Sequence, residues 1–228
     1  MPSPADAGPG RANARRRLQT LAWGNAALHV VGLAVAWLGL RPGSVMAPLA
    51  ERTAYLAARP AAWSWGWGIW MACTLLLVAY VAELGHWLPL RSTAARLALV
   101  LTASGMAVDL LCDVLQIQVS PLVAAAGPSS TTLFLAVERL AFTGGATIAN
   151  GLYTTGVLLL TLRLRTPLSS PARLAGWATA VSGYAMAVAG LLPSPALLQA
   201  ATGPTIGFYS LWTVLVARDL RGQDAETG

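Results

Sequence analysis

Long apolar runs recur along the whole chain, separated by short clusters of Pro, Gly, Ser and Arg. A bilayer core about 30 Å thick needs about 20 mostly apolar residues per spanning helix. Six stretches satisfy that rule: 18–40, 63–87, 93–117, 133–162, 172–192 and 196–217. The runs are continuous rather than alternating, which excludes a transmembrane barrel, and helices are then the way to satisfy the backbone in lipid. The pattern predicts an all-α fold, a polytopic integral membrane bundle of six transmembrane helices within residues 18–220. Residues 1–17, rich in Pro, Gly, Ala and Arg, are expected to form a disordered cytoplasmic tail, and 221–228 a second cytoplasmic tail.

The outer connection 41–62 is long for a bundle. Its PLAERTAYLAARP predicts a short interfacial helix between Pro48 and Pro60, serving as a connector or as a lid over the outer side. The Arg-rich start followed by an apolar run has the layout of a signal peptide. The run exceeds a usual h-region, and cleavage at VMAP (45–48) would leave Pro48 after the cut, so a retained first helix is expected. In span five, Gly176, Gly183 and Gly190 lie seven residues apart, a spacing that favours close helix packing.

Composition supports this frame. The chain is 56% hydrophobic and 11% charged, against about 25% charged residues in soluble domains. Its net charge of +6 points away from nucleic acid because the arginines cluster at span ends. Arg11, Arg15, Arg16 and Arg17, then Arg91 and Arg96, Arg163, Arg165 and Arg173, and Arg218 and Arg221 fall on one side. Arg41, Arg52 and Arg59 fall on the other. Positive-inside bias then gives an N-in/C-in topology in a bacterial cytoplasmic membrane. Trp23, Trp87 and Trp212 would mark the inner interface, and Trp37, Trp63, Trp65 and Trp67 the outer one. Cys73 and Cys112 read as core fillers.

Candidate chemistry lies in GMAVDLLCDVLQIQ, residues 105–118. Asp109 and Asp113 share a helical face with Gln116. A charge there is costly unless it faces protein or a water-filled cavity. In span four, Arg139, Thr143, Thr147, Asn150 and Thr154 form a second polar stripe, with Glu138 about 100° away. Span one contributes Asn25 and His29. At ~1.5 Å per residue, Asp109, Asp113, His29, Glu138 and Arg139 all fall in the outer half and can converge. Three carboxylates would share one permanent cation, Arg139, and charge balance then requires at least one carboxylic acid to keep its proton. Asp109, Asp113, Glu138 and Arg139 are therefore the candidate catalytic residues, and His29, Asn150, Gln116 and Asn25 the candidate binding residues. A purely structural ion pair of Asp109 or Asp113 with Arg139 is the competing reading. If span four started near Leu140, Glu138 and Arg139 would instead snorkel to the interface. Glu83 and His86 read as an inner-interface pair.

Phosphate loops, HExxH, CxxC and GxSxG are absent from the sequence, so neither a cofactor nor a metal is expected. The run from Glu138 to Arg165, with ANGLYTTGVLLLTLRLR followed by Pro and a GW-containing fifth span, resembles multipass membrane proteins of GC-rich bacteria of the domain-of-unknown-function type. That resemblance implies a six-helix membrane fold and no particular activity. In size and intramembrane acids the chain is also similar to small membrane-bound terpene cyclases, although AYVAELGHW departs from their Asn-to-Trp-Glu element in span two. The reading that follows is acid–base chemistry on a lipid or isoprenoid, with membrane lipids and a hydrophobic small molecule as partners and no nucleic acid. A small proton-coupled transporter and a noncatalytic structural subunit are the alternatives. The oligomeric state is not legible in the sequence.

Overall fold

A computed structural model describes residues 9–85, 87, 92–164 and 168–222. The expectations placed on residues 1–8 and 223–228, and on His86, Arg91 and Arg165, lie outside the described residues. Within them the chain is helical, with no strand. The elements are α1 (Pro9–Leu38), α2 (Leu49–Ala58), α3 (Pro60–Gly85), α4 (Thr93–Ala125), α5 (Pro128–Arg163), α6 (Ser170–Ala189) and α7 (Pro195–Gly222). Residues 9–17, expected in a tail, form the first turns of α1.

Four of these helices are long and apolar enough to cross a membrane: α1 over Asn13–Leu38, α3, α4 and α5. This corrects the expected six. α6 is diluted by Gly, Ser, Thr and Tyr and carries Arg173 near its start. α7 carries Gln199, Thr202, Pro204, Thr205, Ser210 and Thr213. Packing explains why such residues are tolerated. α1 packs on α3, α3 on α4, α4 on α5, α5 on α6, α6 on α7, and α7 returns to α1, closing a ring. Thr179, Thr205, Ser210 and Thr213 are buried inside that ring. The outward faces of the same two helices show Leu174, Val181 and Leu211. The ring is thus polar-flecked within and apolar without, the inverse of a soluble bundle and suited to lipid.

Leu18, Leu84, Leu164, Leu168 and Leu220 join one core cluster. The start of α1 and the end of α7 therefore share one end of the ring, called here the terminal end. A second cluster of Leu40, Leu56, Trp63, Val123, Ala124 and Phe134 lies at the opposite end and is built around α2. The expected short helix is present, bounded by Pro48 and Arg59. It is docked by its buried Leu56 and by Tyr55, whose hydroxyl donates to the Gly39 carbonyl at 2.9 Å.

Two π-helical segments interrupt the long helices, Leu115–Val119 in α4 and Thr143–Ala149 in α5. The first has a visible cause. Pro121 lacks the N–H that an α or a π turn would send to Ile117 or Gln116. Those two carbonyls are instead used by α3: Trp63 Nε1 donates to Gln116 O at 2.8 Å and Ser64 Oγ to Ile117 O at 3.1 Å. The second segment contains the helix-weakening pair Gly144–Gly145.

Candidate functional site

A cavity of about 260 Å³ lies within the ring and is lined by all six of its helices. That space exceeds what a few waters need and approaches the size of small-molecule sites. Towards the terminal end the interior is filled by Tyr80, Trp212 and Val216, all fully buried. Towards the other end, Trp63 and Leu40 line the cavity and also belong to the cluster around α2.

α4 presents Asp109, Asp113 and Gln116 to this space, as steps of four and three require. Asp109 is held from two sides: Thr74 Oγ1 of α3 and the Tyr153 hydroxyl of α5 donate to its Oδ2, at 2.7 and 3.2 Å. Its Oδ1 sits beside Gly145, where even a Cβ would come within 3.3 Å. The Gly pair of the π-helical segment therefore makes room for the carboxylate. Asp113 is 2% exposed and its Oδ2 has no hydrogen-bond partner among the described residues. Gln116 accepts from Ser120 Oγ at 3.2 Å, while its Nε2 is unpartnered.

From α1, His29 lines the cavity, with Nδ1 donating to the Asn25 carbonyl at 2.9 Å and ring edges against Trp70 and Tyr209. A carbonyl can only accept, so in the neutral ring Nε2 is the acceptor nitrogen. Asn25 stands behind it, fully buried, its Nδ2 donating to the Tyr209 hydroxyl. Asn150 lines the cavity but spends its amide on the Gly183 carbonyl of α6, at 2.7 Å.

The predicted cation is elsewhere. Arg139 is exposed and its guanidinium donates to the Leu191 carbonyl just beyond α6, at 3.2 Å. Glu138 faces α2 and pairs with Arg52 at 3.0 Å. α5 starts before Glu138, so this acid is buried in the helix rather than snorkelling from its end. Arg139 and Glu138 do not line the cavity with the aspartates, and among the described residues neither Asp109 nor Asp113 has an ion-pair partner. The expected meeting of the aspartates with Arg139 therefore does not occur. One residue step on a helix is 100°, enough to turn Glu138 and Arg139 to different neighbours. Towards the terminal end, Glu83 pairs with Arg17 at 3.4 Å.

Three parts of the site escaped the sequence reading. Trp63, Trp67, Trp70 and Thr74 form one face of α3 and line the cavity. Their steps of four, three and four were legible, but tryptophans near a span end also fit an interfacial belt. Tyr153 left no pattern to follow. Arg52 could not have been matched to Glu138, because a loop that folds back leaves no periodic trace. Among the described residues no three His, Cys, Asp or Glu side chains come together as metal ligands.

Comparison of the chain with protein-family models, with curated proteins and with solved structures finds no match.

Proposed function

We propose that this is an integral membrane protein of the bacterial cytoplasmic membrane that takes a hydrophobic small molecule into the ring and performs acid–base chemistry on it at the Asp109–Asp113 pair. The observation that carries this reading is Asp113: a buried carboxyl at a cavity wall with an oxygen that nothing in the protein partners. A lone buried carboxylate is costly to leave charged and unpaired. With a second carboxyl four residues away and no arginine in the cavity wall, charge balance has the pair share a proton. Thr74 and Tyr153 fix Asp109 as the acceptor of two hydrogen bonds. That leaves Asp113 as the group free to exchange a proton with a ligand.

In this reading the four apolar helices span the bilayer and α6 and α7 complete the ring beside them. The terminal end, which holds Arg15, Arg16, Arg17, Arg96, Arg163, Arg173 and Arg218, faces the cytoplasm. α2 then covers the outer end of the cavity. A proton-coupled transporter would use the same acids but needs a polar path from the cavity to the cytoplasm. The packed Tyr80, Trp212 and Val216 on that side favour a binding site with one chemical compartment. A purely structural subunit has no need of two carboxyls lining a cavity.

The test is small-molecule mass spectrometry of extracts from purified protein, wild type beside Asp109→Asn and Asp113→Asn. A hydrophobic compound retained by the wild type and lost or chemically altered with the Asp113→Asn protein is the expected result. Two folded amides that retain and process the same compound as wild type would remove the carboxylate mechanism.

A further inference from the structure

The wall around Asp113 specifies the head group of the ligand, given the reading of the cavity as a small-molecule site. Trp63 Nε1 on Gln116 O and Thr74 Oγ1 on Asp109 set the register of α3 against α4. Trp67 and Trp70 lie between those two contacts and therefore stand level with Asp113. Both tryptophans line the cavity, as do Phe142 and Tyr209. Indole and phenol faces attract cations. No arginine lines this space and the chain has no lysine, so the protein supplies two carboxyls and no permanent counter-charge.

Three buried polar atoms of cavity-lining residues are unpartnered: Asp113 Oδ2, Gln116 Nε2 and Trp67 Nε1. Asp113 and Gln116 are 2% and 3% exposed, so bulk water does not serve them. They comprise one carboxyl oxygen and two donors. An anionic amphiphile would satisfy the donors but oppose the carboxyls. A plain hydrocarbon would satisfy none of the three.

We propose that the cavity binds a lipophilic ammonium compound bearing a hydroxyl two carbons from its nitrogen, an alkyl amino alcohol in chemical class. The ammonium N–H donates to Asp113 Oδ2. The hydroxyl oxygen accepts from Gln116 Nε2 and Trp67 Nε1. A monocation balances an aspartate pair that keeps one proton.

Calorimetric titration of the full chain in nonionic micelles, with empty micelles subtracted, tests this using N-decylethanolamine, decylamine, decan-1-ol and decanoate. The amino alcohol is expected to bind at least about tenfold tighter than decan-1-ol, the effect of one hydrogen bond to a charged group, and decanoate weakest. Asp113→Asn is expected to bring the amino alcohol to within about threefold of decan-1-ol while decan-1-ol itself still binds. Gln116→Leu should reduce the amino alcohol to the level of decylamine. Decan-1-ol or decanoate binding the wild type as tightly as the amino alcohol would overturn the ammonium assignment and leave the cavity reading standing. Failure of all four probes to bind would overturn both.

Discussion

A hydrogen atom in place of a methyl group at position 183 sets how closely α5 and α6 approach. A Cβ on Gly183 would meet the Thr154 side chain, one on Gly176 would meet Thr161, and one on Gly190 would meet Thr147. Glycines seven apart on α6 thus face threonines seven apart on the antiparallel α5, a seam of small residues against hydroxyls. Gly183→Ala is expected to destabilise the folded protein by about 1–3 kcal/mol, the usual cost of overpacking. Gly207→Ala, where a Cβ would meet nothing within 4 Å, should be neutral or slightly stabilising. Thermal unfolding of the two variants in detergent checks the contrast, and equal melting temperatures would contradict the seam. The second polar stripe belongs to the same seam. Arg139, Thr147 and Asn150 donate to the carbonyls of Leu191, Ala187 and Gly183. Their common face was readable from a spacing of three and four. Its partner was not, since periodicity says which residues share a face and nothing about which helix lies opposite.

At the scale of elements, α2 is held across the ring's end by Leu56, Tyr55 and Arg52. Arg52 reaches Glu138, stacks over Phe134 at 5.9 Å from the ring centroid, and anchors a ten-residue helix that is too short to be stable alone. Both partners are nearly buried, with side chains 12% and 11% exposed. Removing one leaves the other uncompensated. Arg52→Ala should cost about 3 kcal/mol, near the low end for breaking a buried pair. The loss should be local: amide exchange across 49–58 should accelerate while α3 to α5 keep their protection. Glu138→Gln added to Arg52→Ala should recover part of the loss, because no charge is then left behind. Uniform acceleration through the whole ring would show that α2 is integral to the fold rather than a cover. The π-helical segment of α4 belongs to this scale as well. Ser64→Ala removes the donor to Ile117 O and is expected to cost about 0.5–1.5 kcal/mol in unfolding free energy.

For the whole molecule, the inverted distribution of polarity is the governing feature. Apolar side chains face outward on every helix of the ring, and Thr102, Asp113, Gln116, Thr154, Thr179 and Thr205 are buried. In the proposed orientation the α2 end lies outside. Cysteines introduced at Ala57 of α2 and at Thr93 at the start of α4, both exposed positions, should behave oppositely. In intact cells a membrane-impermeant maleimide is expected to label Ala57→Cys at once and Thr93→Cys only after permeabilisation. The native Cys73 and Cys112 are buried and give a low background. Labelling in the reverse order would invert the orientation and put the cavity's covered end in the cytoplasm.

Helical character, the approximate extent of α3, α5, α6 and α7, the short helix after Pro48 and the shared face of Asp109, Asp113 and Gln116 were all legible in the sequence. Each rests on local chemistry: apolar run length, proline punctuation and a fixed number of residues per turn. His29 shares the cavity with the aspartates, at the depth along its helix expected of it. Tertiary structure alone decided that the helices close into a ring, that α6 and α7 tolerate their polar residues by turning them inward, and that Arg139 faces away while Arg52 takes Glu138. It also decided that Trp67 and Trp70 form a cavity wall beside Asp113. These depend on which helix lies beside which and at what rotation. In an apolar medium that choice is made by side-chain packing and hydrogen bonds across helix faces, contacts between residues far apart in the chain that leave no local pattern.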